Sequence, residues 1–235
     1  MRAKTRTRLR LRARARLRLR LRLSLGLSFS FSLSWGQGCE GVGHVEYFGV
    51  TYPTVAIGQQ CWFAENLQTA HYRNGEPIPD GLSKRAWRKT RIGATSEVEP
   101  DDSWNPIVYG RHYNGYAVLD PRGLCPAGWR VPTENDWAVL EAAITPTLRS
   151  PSDMAAALKT PRFSGNNSSG FAATAAGLTA SDTGEAAYRN VAAYWWSSTL
   201  LGDELRYRHL YENFSYLNAS SSLPGVGMSI RCVRE

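Results

Sequence analysis

Histidine and methionine are sparse in this 235-residue chain, with four and three copies, and the four cysteines include no Cys-x-x-Cys pair. His44, His71, His112 and His209 form no i, i+4 pair and have no cysteine neighbour at zinc-ligand spacing. A zinc site of the usual layout is therefore not expected, and the histidines read as surface or hydrogen-bonded structural groups. A Gly-x-Ser-x-Gly elbow, a P-loop and a dinucleotide fingerprint are all missing, which removes the commonest sequence warrants for hydrolase, nucleotide and nicotinamide chemistry. No apolar run approaches the length of a membrane-spanning helix, so no transmembrane span is expected.

Acidic residues are absent from residues 1–22, which hold ten arginines and Lys4. Of the 28 basic side chains, 17 remain beyond that tail against 20 acidic ones, so the net +8 of the whole chain becomes −3 for the rest. Nucleic-acid binding by the body thereby loses its main electrostatic argument. The tail alternates Arg with Leu or Ala, then Ser with Leu or Phe up to Trp35. A cationic region, a short apolar-leaning run from Leu23 to Trp35, and small residues at Gly36 and Gly38 have the layout of a secretory signal peptide. A translated low-complexity tract is the plainer alternative, and a basic arm for anionic membrane or nucleic acid a third. The chain is accordingly divided into a leader, 1–38, and one domain, 39–235, since no linker composition appears after residue 39.

With an export signal, an even set of cysteines points to disulfides. Of the three possible arrangements, Cys39 with Cys61 and Cys125 with Cys232 is favoured, because each pair closes a local unit: an N-terminal hairpin, and a mid-chain strand held to the last strand. Loop-closure entropy assigns these about 3 and nearly 5 kcal/mol. Cys39 has an alternative role as a lipid-modified residue, which would leave Cys61 unpaired.

Short β-like runs at Val45–Phe48, Tyr52–Ile57 and Cys61–Phe63, punctuated by Gly49 and Gly58-Gln59, predict a hairpin or meander. Residues 64–110 have no sustained period and predict long loops with one short helix near Leu82–Lys89. Thr133 with Asp136 makes a capping box, and Trp137, Leu140 and Ile144 follow at helical spacing, which predicts one clear helix over about 133–145. A shorter helix is expected from Ser152 to Leu158. Strands are expected at Tyr194–Ser198, Leu205–Tyr211 and Gly227–Val233, with a polar Asn213–Ser222 segment between the last two. The order of strands, helix and strands indicates an α+β domain with an antiparallel sheet.

Five motifs occur in an order that resembles the Fibrobacter succinogenes major paralogous domain: Ala56–Leu67, Tyr113–Val118, Gly123–Thr133, Tyr194–Ser198 and Ser229–Arg234. The family usually has Trp where Gly115 stands, and a Pro-Gly-Gly type of turn where this chain has Ala175-Ala176-Gly177; these departures predict a loosened core contact or a reshaped loop. The resemblance implies an exported or surface-attached bacterial protein and carries no established activity. More distantly, Arg130–Glu134 with Trp137 and the terminal Ile230–Arg234 are similar to formylglycine-generating-enzyme and C-type lectin-like architecture, which implies a frame with long loops. The enzymes of that architecture need a close pair of late cysteines, and Cys232 is the only cysteine after Cys125.

The expected function is non-catalytic binding at the cell surface or outside the cell, with a glycan or a surface protein as partner. Flat rings flanked by amide and guanidinium donors suit sugar faces, and Trp104, Trp196, Tyr207, Arg208 and Asn213 are the candidate ligand residues. In an alternating strand Trp195 and Trp196 point to opposite faces, so one is expected inside and the other on the outer face. Glu99, Asp101 and Asp102 in an acidic loop offer hard oxygen ligands for Ca²⁺, with a solvated loop as the plainer reading and no other cofactor expected. The competing expectation is an enzyme on extracellular polymers using Glu65 and Asp101 as acid and base; a purely structural module is the third.

Overall fold

The computed structural model describes residues 37–99 and 108–235. Period-two alternation with both faces buried decides its architecture. In the strand Gln60–Phe63, Cys61 and Phe63 enter one hydrophobic core while Trp62 enters a second. In Ala192–Leu201, Tyr194 and Trp196 belong to the first core and Trp195 to the second. Near the C-terminal end Ile230 and Cys232 face the first core and Val233 the second. Three segments distant in sequence thus form a wall between two cores, and the expectation that one of Trp195 and Trp196 reaches an outer face is corrected: both are fully buried.

The first antiparallel sheet contains β1 (His44–Tyr47), β2 (Val50–Ile57) and β3 (Gln60–Phe63). β2 and β3 are joined by the two-residue turn Gly58-Gln59, with Gly58 at φ +60 in the left-handed region that such tight hairpins require. The helix α1 (Lys84–Lys89) follows, then β4 (Thr95–Glu97), β5 (Arg111–Asn114) and the single-turn α2 (Gly115–Val118). β6 (Trp129–Arg130) leads into the long helix α3 (Glu134–Ile144) and the short α4 (Met154–Leu158). The rest is β7 (Leu178–Thr179), β8 (Ala186–Ala187), β9 (Ala192–Leu201), β10 (Glu204–Tyr211), β11 (Asn218–Ser222), β12 (Gly227–Met228) and β13 (Val233–Arg234). The sheets run β1-β2-β3-β13-β6, β11-β10-β9 and β4-β5-β12-β7-β8. All strand pairs are antiparallel, which with the helices makes the fold α+β. The expected strand Gly227–Val233 is in fact two: β12 joins one sheet, β13 another, and Ser229 between them bridges to Trp195.

Helix α3 starts where its capping box predicts. The Thr133 side chain accepts from the Asp136 amide, and the Asp136 carboxylate accepts from the Thr133 amide at 2.7 Å. Arg130 ion-pairs with the same carboxylate, so the helix start is fixed to β6. Trp137, Leu140 and Ile144 form its buried face. Trp137 lies 4.9 Å from Trp62 and 6.2 Å from Trp195, so the helix packs against both wall strands.

Two disulfides close the frame, Cys39–Cys61 and Cys125–Cys232, in the favoured pairing. Beside the second lies a buried polar knot. Arg231 and Asn66 are 0% and 3% exposed, and Arg231 donates to Asn66 Oδ1 from Nε at 3.2 Å and Nη2 at 2.9 Å. The Trp195 indole donates to the same oxygen at 2.9 Å, while the Asn66 amide group donates to the Tyr109 carbonyl and Ser229 Oγ. Arg231 also donates to the Phe171 carbonyl and sits 4.3 Å above that ring's centroid. Burial pulls its guanidinium pKa down to about 9, with Glu65 opposing.

The Gly115 departure has a definite cause. A β-carbon there would lie 2.6 Å from Pro224 Cα and 3.2 Å from Leu205, so Pro224 packs directly on the glycine backbone and the contact is tight rather than loosened. Of the expected leader 1–38, residues 1–36 lie outside the described residues; Gln37 and Gly38 belong to a 3-10 turn ending at Cys39.

Candidate functional site

The β9–β10 pairing builds an aromatic strip that rises from the core to the surface. Its register sets Tyr207 opposite Trp196, His209 opposite Tyr194 and Tyr211 opposite Ala192, and directly opposed residues share a face. Trp196 and Tyr194 are buried, Tyr207, His209 and Tyr211 are half-buried, and Tyr188 and Phe214 are 53% and 54% exposed. Successive rings are in contact: Tyr207 to His209 at 5.6 Å, His209 to Tyr211 at 5.5 Å, Tyr211 to Phe214 at 5.1 Å and Tyr188 to Tyr211 at 6.5 Å. Tyr194 lies under the strip, its ring stacked on His209 at 5.8 Å and its hydroxyl donating to Tyr211 Oη at 2.8 Å.

Titration follows from this burial. The Tyr194 hydroxyl is held above its ordinary range by burial, then by its bond to Tyr211. Burial pushes the His209 imidazole down, so it is neutral at pH 7, and its buried Nδ1 has no hydrogen-bond partner. On β11, Asn218 and Ser220 stand opposite His209 and Tyr207, which places amide and hydroxyl groups on the aromatic face.

The tip of the strip is fixed from below. Lys159, 2% exposed, donates from Nζ to the carbonyls of Tyr211, Glu212 and Phe214 at 2.6, 2.8 and 3.0 Å. The turn bearing Asn213 and Phe214 is therefore held in one shape by a buried ammonium.

The candidate residues named from sequence separate clearly. Tyr207 is part of the strip, and Asn213 is exposed in the turn at its tip. Trp196 is fully buried with its indole donating 2.8 Å to the Tyr113 carbonyl, so it is a core residue with no surface for a ligand. Arg208 points to the opposite face, where it ion-pairs with Glu134 at 3.1 Å and Glu141 at 2.8 Å and ties β10 to α3. Trp104, Asp101 and Asp102 lie outside the described residues. Glu99 is exposed and lends its backbone carbonyl to Arg189. Among the described residues, no three His, Cys, Asp or Glu side chains converge as a metal site. Glu65, the proposed acid or base, is bonded to Gln68 at 3.4 Å, and its suggested partner Asp101 is among the residues not described. All four cysteines are in disulfides, which leaves no free thiol for cysteine chemistry.

Phe214 is one of the aromatics of the 205–222 segment that sequence offers for sugar stacking, whereas Tyr188 and His209 are ligand candidates only in the structure. The alternation Tyr207-x-His209-x-Tyr211 carries a readable signal, whereas Tyr188 joins the strip through a left-handed backbone, φ 60, that sequence did not reveal.

The fold and strip together define a disulfide-clasped α+β domain with a polar-edged aromatic surface. More narrowly, the family model described as the Fibrobacter succinogenes major domain matches residues 55–234, and the chain belongs to that family. Comparison with curated proteins and with solved structures gives no match. Among the described residues no helix is long and apolar enough to cross a membrane.

Proposed function

We propose that this protein is an exported, non-catalytic carbohydrate-binding module of lectin-like architecture, acting at the cell surface or outside the cell, with the aromatic strip as its sugar platform. The observation that carries this reading is the continuous series of touching rings Tyr207, His209, Tyr211, Phe214 with Tyr188, which runs from half-buried to exposed beside Asn218 and Ser220. Aromatic faces accept the C–H surfaces of pyranose rings, and flanking amide and hydroxyl groups bond their hydroxyls. The rigid support from Lys159 favours this use, because a preorganised surface loses little entropy on binding. Two disulfides and the leader composition support export.

The test is a glycan array followed by calorimetry on the full chain, with and without Ca²⁺. A bound neutral glycan should lose at least tenfold in affinity in Tyr207→Ala/Phe214→Ala. Wild-type protein that binds no glycan under either condition, or a variant that binds as well as wild type, overturns the reading.

A further inference from the structure

A cluster of cationic side chains lies on α1. Residues 84–91 contain Lys84, Arg85, Arg88, Lys89 and Arg91 and no acid, although the body beyond the tail is net negative. Arg85, Arg88 and Lys89 stand at i, i+3 and i+4 on one exposed face of the helix, opposite the buried Trp87. Like charges at this spacing repel one another, so the face is electrostatically unfavourable until an anion occupies it. Lys84 is paired with Glu185, and Arg91 folds back to donate to the carbonyls of Arg88 and Thr90. Arg85, Arg88 and Lys89 have no ion-pair partner among the described residues. They border an open cleft of about 450 Å³ whose other wall is Ser181 and Asp182, at the turn between β7 and β8.

We infer that this cleft binds acidic polysaccharide, with the three cations holding uronate carboxylates and Ser181 and Asp182 bonding sugar hydroxyls. The inference rests on the carbohydrate reading above and specifies its substrate class. The volume lies within the range of small-ligand pockets, and a hydroxyl and a carboxylate facing guanidinium groups form a mixed polar set that suits a charged sugar. Single-stranded DNA is the competing polyanion and fits less well, because a uronate offers ring hydroxyls from which Asp182 can accept beside its carboxylate, whereas a phosphodiester run offers none. The β7–β8 hairpin links the two sites, since its turn forms one wall of the cleft and Tyr188 follows directly after β8.

The test measures binding of the full chain to polygalacturonate, with an uncharged glycan from the array and single-stranded DNA as comparisons. Arg85→Ala/Arg88→Ala/Lys89→Ala should weaken polygalacturonate binding at least tenfold, flatten its salt dependence, and leave the uncharged glycan within twofold. Arg85→Lys/Arg88→Lys, which keeps the charge, should stay within about threefold of wild type. Absent polygalacturonate binding by wild type, a triple variant within twofold of it, or DNA bound as tightly as polygalacturonate would each overturn the inference. Loss of uncharged-glycan binding in Tyr207→Ala/Phe214→Ala tests the strip separately, so failure at one site is distinguishable from failure at the other.

Discussion

Arg231 Nη2 donates to Asn66 Oδ1 across 2.9 Å between residues 165 positions apart, and neither side chain has appreciable exposure. A buried cation with such neutral partners is costly to strand. Asn66→Leu removes the acceptor shared by Arg231 and the Trp195 indole, and should destabilise the protein by about 3–5 kcal/mol. Urea denaturation at pH 7 measures it, and a change below about 1 kcal/mol would show that the knot contributes little.

The two disulfides should be unequal. Cys125–Cys232 closes a loop of 107 residues and Cys39–Cys61 one of 22. Replacing both cysteines of the longer loop by alanine should cost nearly 5 kcal/mol against about 3 for the shorter. Denaturation midpoints of the two double variants give the comparison; the reverse order would mean that native-state effects dominate.

His112 on β5 is 1% exposed, with Nδ1 3.0 Å from Thr179 Oγ1. Burial lowers its pKa from 6.5 to about 4, with the Ala176 and Gly177 backbone opposing. The unfolded chain therefore binds more protons between those values, and the stability present above pH 6.5 is lost as pH falls through 4. Wild type should lose about 2–3 kcal/mol from this group between pH 7 and pH 4, a slope absent in His112→Gln. Urea titrations of both proteins at the two pH values decide it.

Lys159→Met should release the turn at Asn213 and Phe214 by leaving three carbonyls without their donor. The expected cost is about 2–4 kcal/mol, with faster amide exchange over residues 211–216 than elsewhere. Unchanged exchange there would show that the turn is held by other contacts.

Legibility followed the range of the interactions. The capping box of Thr133 and Asp136 and the spacing of Trp137, Leu140 and Ile144 act within a few residues, so α3 was readable. The disulfide pairing was readable because each closure had one cysteine in a recognised strand, Cys61 or Cys232, although Cys39 lies in a 3-10 turn and Cys125 in the bend before β6 rather than in the expected mid-chain strand. The double burial of β9 was not, since Tyr194-Trp195-Trp196 looks alike whether one face or two are covered, and only tertiary packing supplies the second core. Splitting of Gly227–Val233 between sheets has the same origin. The strip was half legible: Tyr207 and Asn213 belong to it, while Trp196 and Arg208 had the right chemistry but faced a core and a helix. The cationic run of α1 lay open in the sequence, but its cleft needed Ser181 and Asp182, nearly a hundred residues downstream.

The wall between the two cores also constrains when folding can occur. Each core takes side chains from residues 61–63, 194–196 and 230–233, so neither half can close over its aromatics until the last of these segments has been made. Synthesis must run through Val233 before both cores are complete, and the two cores should melt in a single cooperative transition.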